Sequence, residues 1–322
     1  MMLNMNNLIG NTPMIKINYK YDNNIKSVYV KLEYYNLTGS IKDRMADYII
    51  SKAYEHNELK KGQPIIEATS GNTGISLAAI GALRENPVYI FMPDWVSEER
   101  IKIMRLYGAT VYLVSQEDGG FKECIRRADE LAIKINGFRP NQFDNNDNVI
   151  VHYNTTANEI LKQYPQVSGF ISGVGTGGTL MGVAKRLKEQ NNNIKILALE
   201  PKSLPMITKG VKTGTHKIEG IGDDFIPSLF DKNVIDDIIL IDDNDAINMA
   251  RLLASKLGLG VGISSGANFL GAVISGIDNI ATIFPDDLKK YLSTDLVKNN
   301  TNKSLISERI ELLGYEILKI SH

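Results

Sequence analysis

Short runs rich in β-branched residues alternate with longer amphipathic stretches along most of the chain. The segments "VYVKLE" (28–33), "PIIEATS" (64–70), "VYIFMP" (88–93), "TVYLVS" (110–115), "GFISG" (169–173), "IKILALE" (194–200) and "IATIFP" (280–285) have the length and composition of buried strands. Most are followed by helical periodicity. "IISKAYEHNELKKG", "VSEERIKIMRLYGA" and "GGFKECIRRADELAIKIN" carry polar outer faces, and the first two close on a glycine, a common helix stop. Alternating strands and helices predict an α/β protein with mostly parallel sheets.

Two polar breaks interrupt the pattern. Residues 141–148, "NQFDNNDN", mark the expected crossing between two domains, and "VKNNTNKS" (297–304) precedes a stripe of Ile306, Ile310, Leu313 and Ile317 that predicts a terminal helix. Residues 257–277, "LGLGVGISSGANFLGAVISGI", are uncharged over about the length of a membrane span. Six glycines together with Ser264, Ser265 and Asn268 favour a short buried strand, a glycine and serine turn, and a small-residue helix. There is no internal repeat.

Composition narrows the function. The 322 residues suffice for two domains, and 36 basic against 37 acidic residues give a net charge of -1, which offers nothing to nucleic acid or an anionic membrane. Small molecules are the expected partners. The single cysteine, Cys124, excludes an internal disulfide and fits a helix position in a reducing compartment. The opening "MMLNMNNLIGNTP" lacks the basic and apolar order of a secretory signal, so a cytoplasmic location is expected.

Three strand-to-helix junctions carry unusual chemistry. In "NLTGSIKDRMADYII" Lys42 stands at the start of a helix, where the partial positive charge of free N–H groups disfavours an ammonium and favours a neutral amine. In "TSGNTG" (69–74), Thr69, Ser70, Asn72 and Thr73 offer donors beside a helix N-terminus, as a carboxylate requires. The third, "GVGTGGTLMGVAKRLKE", lets backbone approach a phosphate closely and lacks the Gly-Lys-Ser/Thr of a triphosphate loop. Its Gly173, Gly175 and Gly178, with Glu200 about twenty residues later, also fit a dinucleotide fingerprint. A dehydrogenase leaves Lys42, "TSGNTG" and "GISSG" unexplained, and "YIISK" (Tyr48 to Lys52) is accounted for by helical periodicity. Pyridoxal 5′-phosphate joins all the pieces, because it needs one lysine, a phosphate cradle, a partner for its ring nitrogen and a pocket for the substrate carboxylate. A dehydrogenase and a catalytically silent binding protein are the alternatives from other classes.

"GNTPMIKIN", "KLEYYNLTGSIKDRMA", "EATSGNTGISLA", "GVGTGGTLMGV", "HKIEGIGDDFIP" and "VGISSGA" resemble, in order and spacing, the cysteine synthase and cystathionine β-synthase family over residues 10 to about 296. The resemblance implies the tryptophan-synthase-β-like fold: two three-layer α/β domains with the cofactor in the cleft between them, and a homodimer. Residues 1–40 and 151–322 would form the larger, phosphate-binding domain, and 41–150 a smaller mobile domain carrying the carboxylate loop. By the same resemblance Lys42 would hold pyridoxal phosphate as an imine and move the substrate α-proton. Gly175, Thr176, Gly177, Gly178 and Thr179 would hold the phosphate, Asn72 the ring hydroxyl, and Ser264 the ring nitrogen. Thr69, Ser70, Thr73 and Gln142 would bind the substrate carboxylate. No metal is implied.

The implied activity is β-replacement or β-elimination on a three-carbon L-amino acid through an α-aminoacrylate intermediate. Cysteine formation from O-acetylserine and sulfide is the default, and consumption of cysteine with release of hydrogen sulfide, giving serine or a thioether, is the alternative. The family motifs depart in both directions. "GIGDDF" stands where cysteine synthases read "GIGAGF" and cystathionine enzymes "GIGYDF", and "HYNTTANEIL" also leans to the latter. "GISSGA" and "KYLST" lean to the former, while "PDDLKK" departs from the usual "PDSGER". No tandem regulatory module after residue 322 and no cysteine and histidine pair for a haem are expected. Of the two adjacent carboxylates, Asp223 reads as solvent-facing charge and Asp224 as a catalytic candidate, able to orient water or give a proton to departing sulfide and to repel incoming hydrosulfide.

Overall fold

All seven β-branched runs form strands in the computed structural model, which describes residues 8–298 and 306–318. The strands are β1 (Met14–Tyr21), β2 (Asn24–Leu32), β3 (Ile65–Ala68), β4 (Val88–Pro93), β5 (Thr110–Val114), β6 (Gly169–Gly173), β7 (Lys195–Pro201), β8 (Asp237–Ile241), β9 (Ile280–Phe284) and β10 (Ile310–Ile317). The helices are α1 (Lys42–Glu55), α2 (Asn72–Arg84), α3 (Glu98–Leu106), α4 (Gly120–Ile135), α5 (Asp147–Asn154), α6 (Thr156–Gln163), α7 (Gly178–Gln190), α8 (Met206–Lys209), α9 (Asp243–Leu257) and α10 (Ile263–Ile274). One sheet runs β10-β1-β2-β9-β6-β7-β8, parallel from β2 onward, and the other is the parallel β3-β4-β5. The antiparallel β1–β2 hairpin turns on Asp22 and Asn23, both at positive φ (46° and 68°), as a two-residue turn requires.

Period-two alternation makes each sheet the middle of three layers. Val28, Val30, Leu32, Leu197 and Leu199 face one core with α9 and α10, whereas Tyr29, Ile196, Ala198 and Phe170 face another with α6 and α7. In the smaller sheet Ile65, Val88, Ile90 and Met92 pack with α1 and α2, and Ile66, Ala68, Phe91 and Val114 pack with α4. Cys124 belongs to that last core, where burial pushes its thiol up to about 12. It is packing, as the sequence implied.

Two expectations are corrected. The stripe at 306–317 is not a helix: Ile310–Ile317 is an edge strand antiparallel to β1, with Ile310 and Leu312 turned inward and Leu313 and Ile317 exposed. The stripe of 306, 310, 313 and 317 follows the helical period, but pairing with the open edge of β1 imposes a period of two, which puts Ile310 and Leu313 on opposite faces. The "GISSG" segment is also not a turn. Helix α10 begins at Ile263, so both serines sit in its first turn, and the expected strand reduces to a single bridge from Val261 to Asp287. Gly266 permits this because a Cβ there would lie 2.2 Å from the Ala246 carbonyl oxygen of α9. The break at 297–304 lies mostly outside the described residues. Among those described, no helix is long and apolar enough to cross a membrane.

Candidate active site

Lys42 is the first residue of α1, and it lines a cleft shared with Asn72, the glycine loop and Ser264. The next two residues hold it there. Asp43 accepts from the Thr38 N–H (2.7 Å), the Thr38 hydroxyl (2.5 Å) and the Ser76 hydroxyl (2.6 Å). Arg44 forks onto Glu33 (2.6 and 2.8 Å) and Glu159 (2.6 and 2.8 Å), and Lys31 completes the buried cluster through Glu159 at 2.6 Å. Against burial, the Arg44 and Lys31 charges hold the Glu33 carboxyl down at about 2. Lys42 itself has no ion-pair partner within 4 Å among the described residues. Burial lowers its amine, opposed by the charges of Asp286 and Asp223 and assisted by that of Lys290. The sequence question of a lysine at a helix start is thereby answered in part: the position favours a neutral amine.

Opposite Lys42, strand β6 delivers the glycine loop into the N-terminus of α7. Gly173, Gly175, Thr176, Gly177 and Thr179 line the cleft; Gly178 does not. Gly177 has φ 83°, a Cβ on Gly175 would lie 2.4 Å from the Gly220 carbonyl oxygen, and one on Gly178 would lie 2.1 Å from Asn148 Oδ1. Asn148 Nδ2 in turn donates to Thr176 Oγ1 (2.9 Å) and to the Gln142 carbonyl (2.9 Å). Among the described residues no arginine lines the cleft and Lys42 is the one basic side chain that does, so a phosphate here would be met by N–H groups, hydroxyls and the helix dipole. Ser264 lines the same cleft from α10, while the Ser265 hydroxyl is buried elsewhere and finds no partner among the described residues.

Asn72 opens α2 and lines the cleft. Its Nδ2 donates to Asp286 Oδ2 at 2.7 Å, which leaves its buried Oδ1 without a partner among the described residues. Thr69, Ser70, Thr73 and Gln142 do not line the cleft, although Thr73 and Gln142 are bonded to each other. The Thr73 hydroxyl donates to Gln142 Oε1 (2.6 Å), Gln142 Nε2 donates to the Ala68 carbonyl (2.7 Å), and Thr69 Oγ1 accepts from the Gly71 N–H (3.0 Å). Gly71, at φ 151°, packs against the buried Arg100 side chain of α3.

The two aspartates divide differently from the sequence expectation. Asp223 is half-buried and feels Lys42; burial, then the like charge of Asp224, push its carboxyl up to about 7, with Lys42 pulling down. Asp224 turns outward to an ion pair with the exposed Lys122 at 3.2 Å. Asp223 thus lies within electrostatic reach of the amine but beyond ion-pair distance, and Asp224 turns to the rim.

Several cleft residues escaped the sequence reading. Asn268 accepts from the Gly173 N–H (2.9 Å) and donates to the Ile283 carbonyl (2.9 Å), tying the glycine loop to α10 and β9. Its only signal was polarity in a small-residue helix. His152 bridges Thr156 (2.9 Å) and Thr179 (3.1 Å), and burial, with Arg44, lowers it to about 3, so it is neutral. Asp286 and Glu219 are side chains carried by "PDD" and "HKIEG", where no spacing singled them out. Glu200, the fingerprint acid, accepts from the Ile207 N–H (2.7 Å) and Thr208 N–H (3.0 Å) and is committed to the α8 turn.

The cleft suits pyridoxal phosphate: a lysine whose amine burial shifts toward its neutral form, an orphaned amide oxygen, a glycine cradle at a helix N-terminus and an uncharged serine meet in one cavity. The sequence profile of pyridoxal-phosphate dependent enzymes matches residues 5–286. The cysteine synthase of Staphylococcus aureus is 39% identical over 300 residues, covering 91% of this chain and 96% of that protein. Cysteine synthase B of Campylobacter jejuni is 42% identical over 295 residues, covering 90% and 96%. The crystal structure of a hydrogen sulfide-producing enzyme from Fusobacterium nucleatum superposes with a TM-score of 0.94 at 48% identity, covering 98% of each chain.

Proposed function

Because the chain belongs to the pyridoxal-phosphate dependent enzymes, we propose that it exchanges the β-substituent of a three-carbon L-amino acid, and that its site favours converting L-cysteine and water to L-serine and hydrogen sulfide. The observation that carries the direction is Asp223, half-buried on the loop whose Glu219, Gly220 and Ile221 line the cleft and within reach of the Lys42 charge; with its carboxyl raised to about 7 it can both give and take a proton near neutral pH. The high similarity to a hydrogen sulfide-producing enzyme supports the same direction.

When bound, pyridoxal phosphate supplies an aldehyde for the substrate amine and an electron sink that acidifies the α-carbon and loosens the β-substituent. The chain provides the rest. Lys42 Nζ, kept neutral by burial, holds the cofactor and takes the proton from the substrate α-carbon. Gly175 to Thr179 hold the phosphate, Asn72 the ring hydroxyl, and Ser264, uncharged, the ring nitrogen without enforcing its protonation. Thr69, Ser70, Thr73 and Gln142 bind the carboxylate once the smaller unit, residues 41–150, closes; the Thr73–Gln142 hydrogen bond and the turn that Thr69 makes with the Gly71 N–H shape the pocket beforehand. The protonated Asp223 gives its proton to the departing sulfur, and the carboxylate so formed takes one from water as the hydroxyl adds to the β-carbon. Protons balance over the cycle. Asp224 assists by raising the proton affinity of Asp223. A homodimer in the cytoplasm completes this reading.

Cysteine synthesis from O-acetylserine and sulfide is the second reading, favoured by the two cysteine synthase relatives. Incubating the holoenzyme with L-cysteine alone separates the two. Equal amounts of sulfide and serine are expected, and Asp223→Asn should slow sulfide release by about 10²–10⁴-fold while still loading the cofactor. No sulfide from cysteine, with ready cysteine formation from O-acetylserine and sulfide, would establish the second reading instead.

A further inference from the structure

Three phenylalanines from three separate segments meet beside the paired aspartates. Phe121 lies in the first turn of α4, Phe143 follows Gln142, and Phe225 follows Asp224. The Phe143 and Phe225 rings meet edge to face at 5.1 Å, Phe121 and Phe143 at 5.6 Å, and Phe121 stacks on Phe225 at 6.3 Å. Phe121 touches the core under α4, but Phe143 and Phe225 pack into none of the hydrophobic clusters among the described residues. They are half-buried, so their apolar surface is shared mainly within the trio.

The surrounding contacts fix the trio as one assembly. The Ser228 hydroxyl bonds the Phe143 carbonyl (3.0 Å) and Asp144 Oδ1 (2.6 Å), stitching the loop after Asp224 to the segment after Gln142. Lys122, next to Phe121, reaches Asp224 at 3.2 Å and joins α4 to the same loop. The rings thus adjoin the residue proposed to carry protons at the β-carbon.

We infer that Phe121, Phe143 and Phe225 form an aromatic gate on the β-carbon side of the site, which admits small, uncharged species such as hydrogen sulfide and water and excludes bulky thiols that carry an amino acid head. This rests on the β-replacement reading. Rings whose centroids lie 5.1–6.3 Å apart leave little space between them, so a zwitterionic thiol would have to part them and shed its hydration, and a hydrosulfide anion would meet the Asp224 carboxylate. Size and charge are therefore selected together.

The test supplies O-acetylserine as donor to the holoenzyme, with L-homocysteine present, and divides the products among serine, cysteine when sulfide is added, and the homocysteine thioether. The wild type should form little thioether. Phe225→Ala should raise the thioether share by about tenfold or more, and Phe143→Ala, made in case the first fails to fold, should do likewise. A wild type that makes thioether as readily as the small products, or folded variants with an unchanged share, overturns the gate. A wild type that releases neither acetate from O-acetylserine nor sulfide from L-cysteine, whatever acceptor is present, overturns the β-replacement reading and the gate with it.

Discussion

Two loops lie side by side in the cleft, joined where the Gly222 N–H donates to the Val174 carbonyl (2.9 Å), and differ in what they present to it. The glycine loop, 173–179, works through backbone: its N–H groups and the α7 dipole need no side chain except two threonines, and added methyl groups would strike Gly220 and Asn148. The loop of residues 219–225 presents side chains: Glu219 lines the cleft, and Asp223, Asp224 and Phe225 carry the charge and shape that the proposed reading sets on the β-carbon side. Backbone recognition fixes which cofactor binds and tolerates few substitutions. Side-chain recognition can change with single residues, so it is where one cofactor-binding frame is turned to different nucleophiles and leaving groups.

Removing what both loops serve gives the largest effect. Lys42→Ala should lower turnover by roughly 10⁴-fold and abolish borohydride trapping of cofactor on the protein, whichever donor is offered. Breaking the glycine side alone is next. Gly178→Ala places a methyl 2.1 Å from Asn148 Oδ1, whose amide also braces Thr176 and the Gln142 backbone. Apoenzyme carrying it should bind pyridoxal phosphate about 10–100-fold more weakly by equilibrium dialysis, with the product ratio of the residual activity unchanged. The substitutions at Asp223 and Phe225 do the reverse and act on products while sparing cofactor affinity. A Gly178→Ala protein that altered the product ratio would erase the distinction between the loops.

Legibility in the sequence followed the same division. The strands β2 to β7 and β9, the lysine at the start of α1 and the glycine loop were all readable, because periodicity, helix starts and glycine spacing are local and nearly independent of the rest of the fold. The strand β10 was not, since Ile310 and Ile317 fit a helical stripe until β1 offers them an edge. The roles of Asp223 and Asp224 were not separable either. They are adjacent in sequence, and only the turn of the loop sends one toward Lys42 and the other to Lys122. Asn268, Asp286 and His152 are further cases, since each gains its meaning from a partner that is distant in sequence or hidden by packing.

The most direct measurement is the pH dependence of kcat/KM for L-cysteine, in the wild type and in Asp224→Asn. Asp223 is protonated below about 7 and ionised above it, and the proposed cycle begins with its protonated form. Sulfide release should therefore fall as pH rises through about 7. Removing the like charge at Asp224 lowers the proton affinity of Asp223, so the decline should begin at lower pH in the variant. A profile without a decline near 7, or one that Asp224→Asn leaves in place, would contradict a proton-carrying role for Asp223.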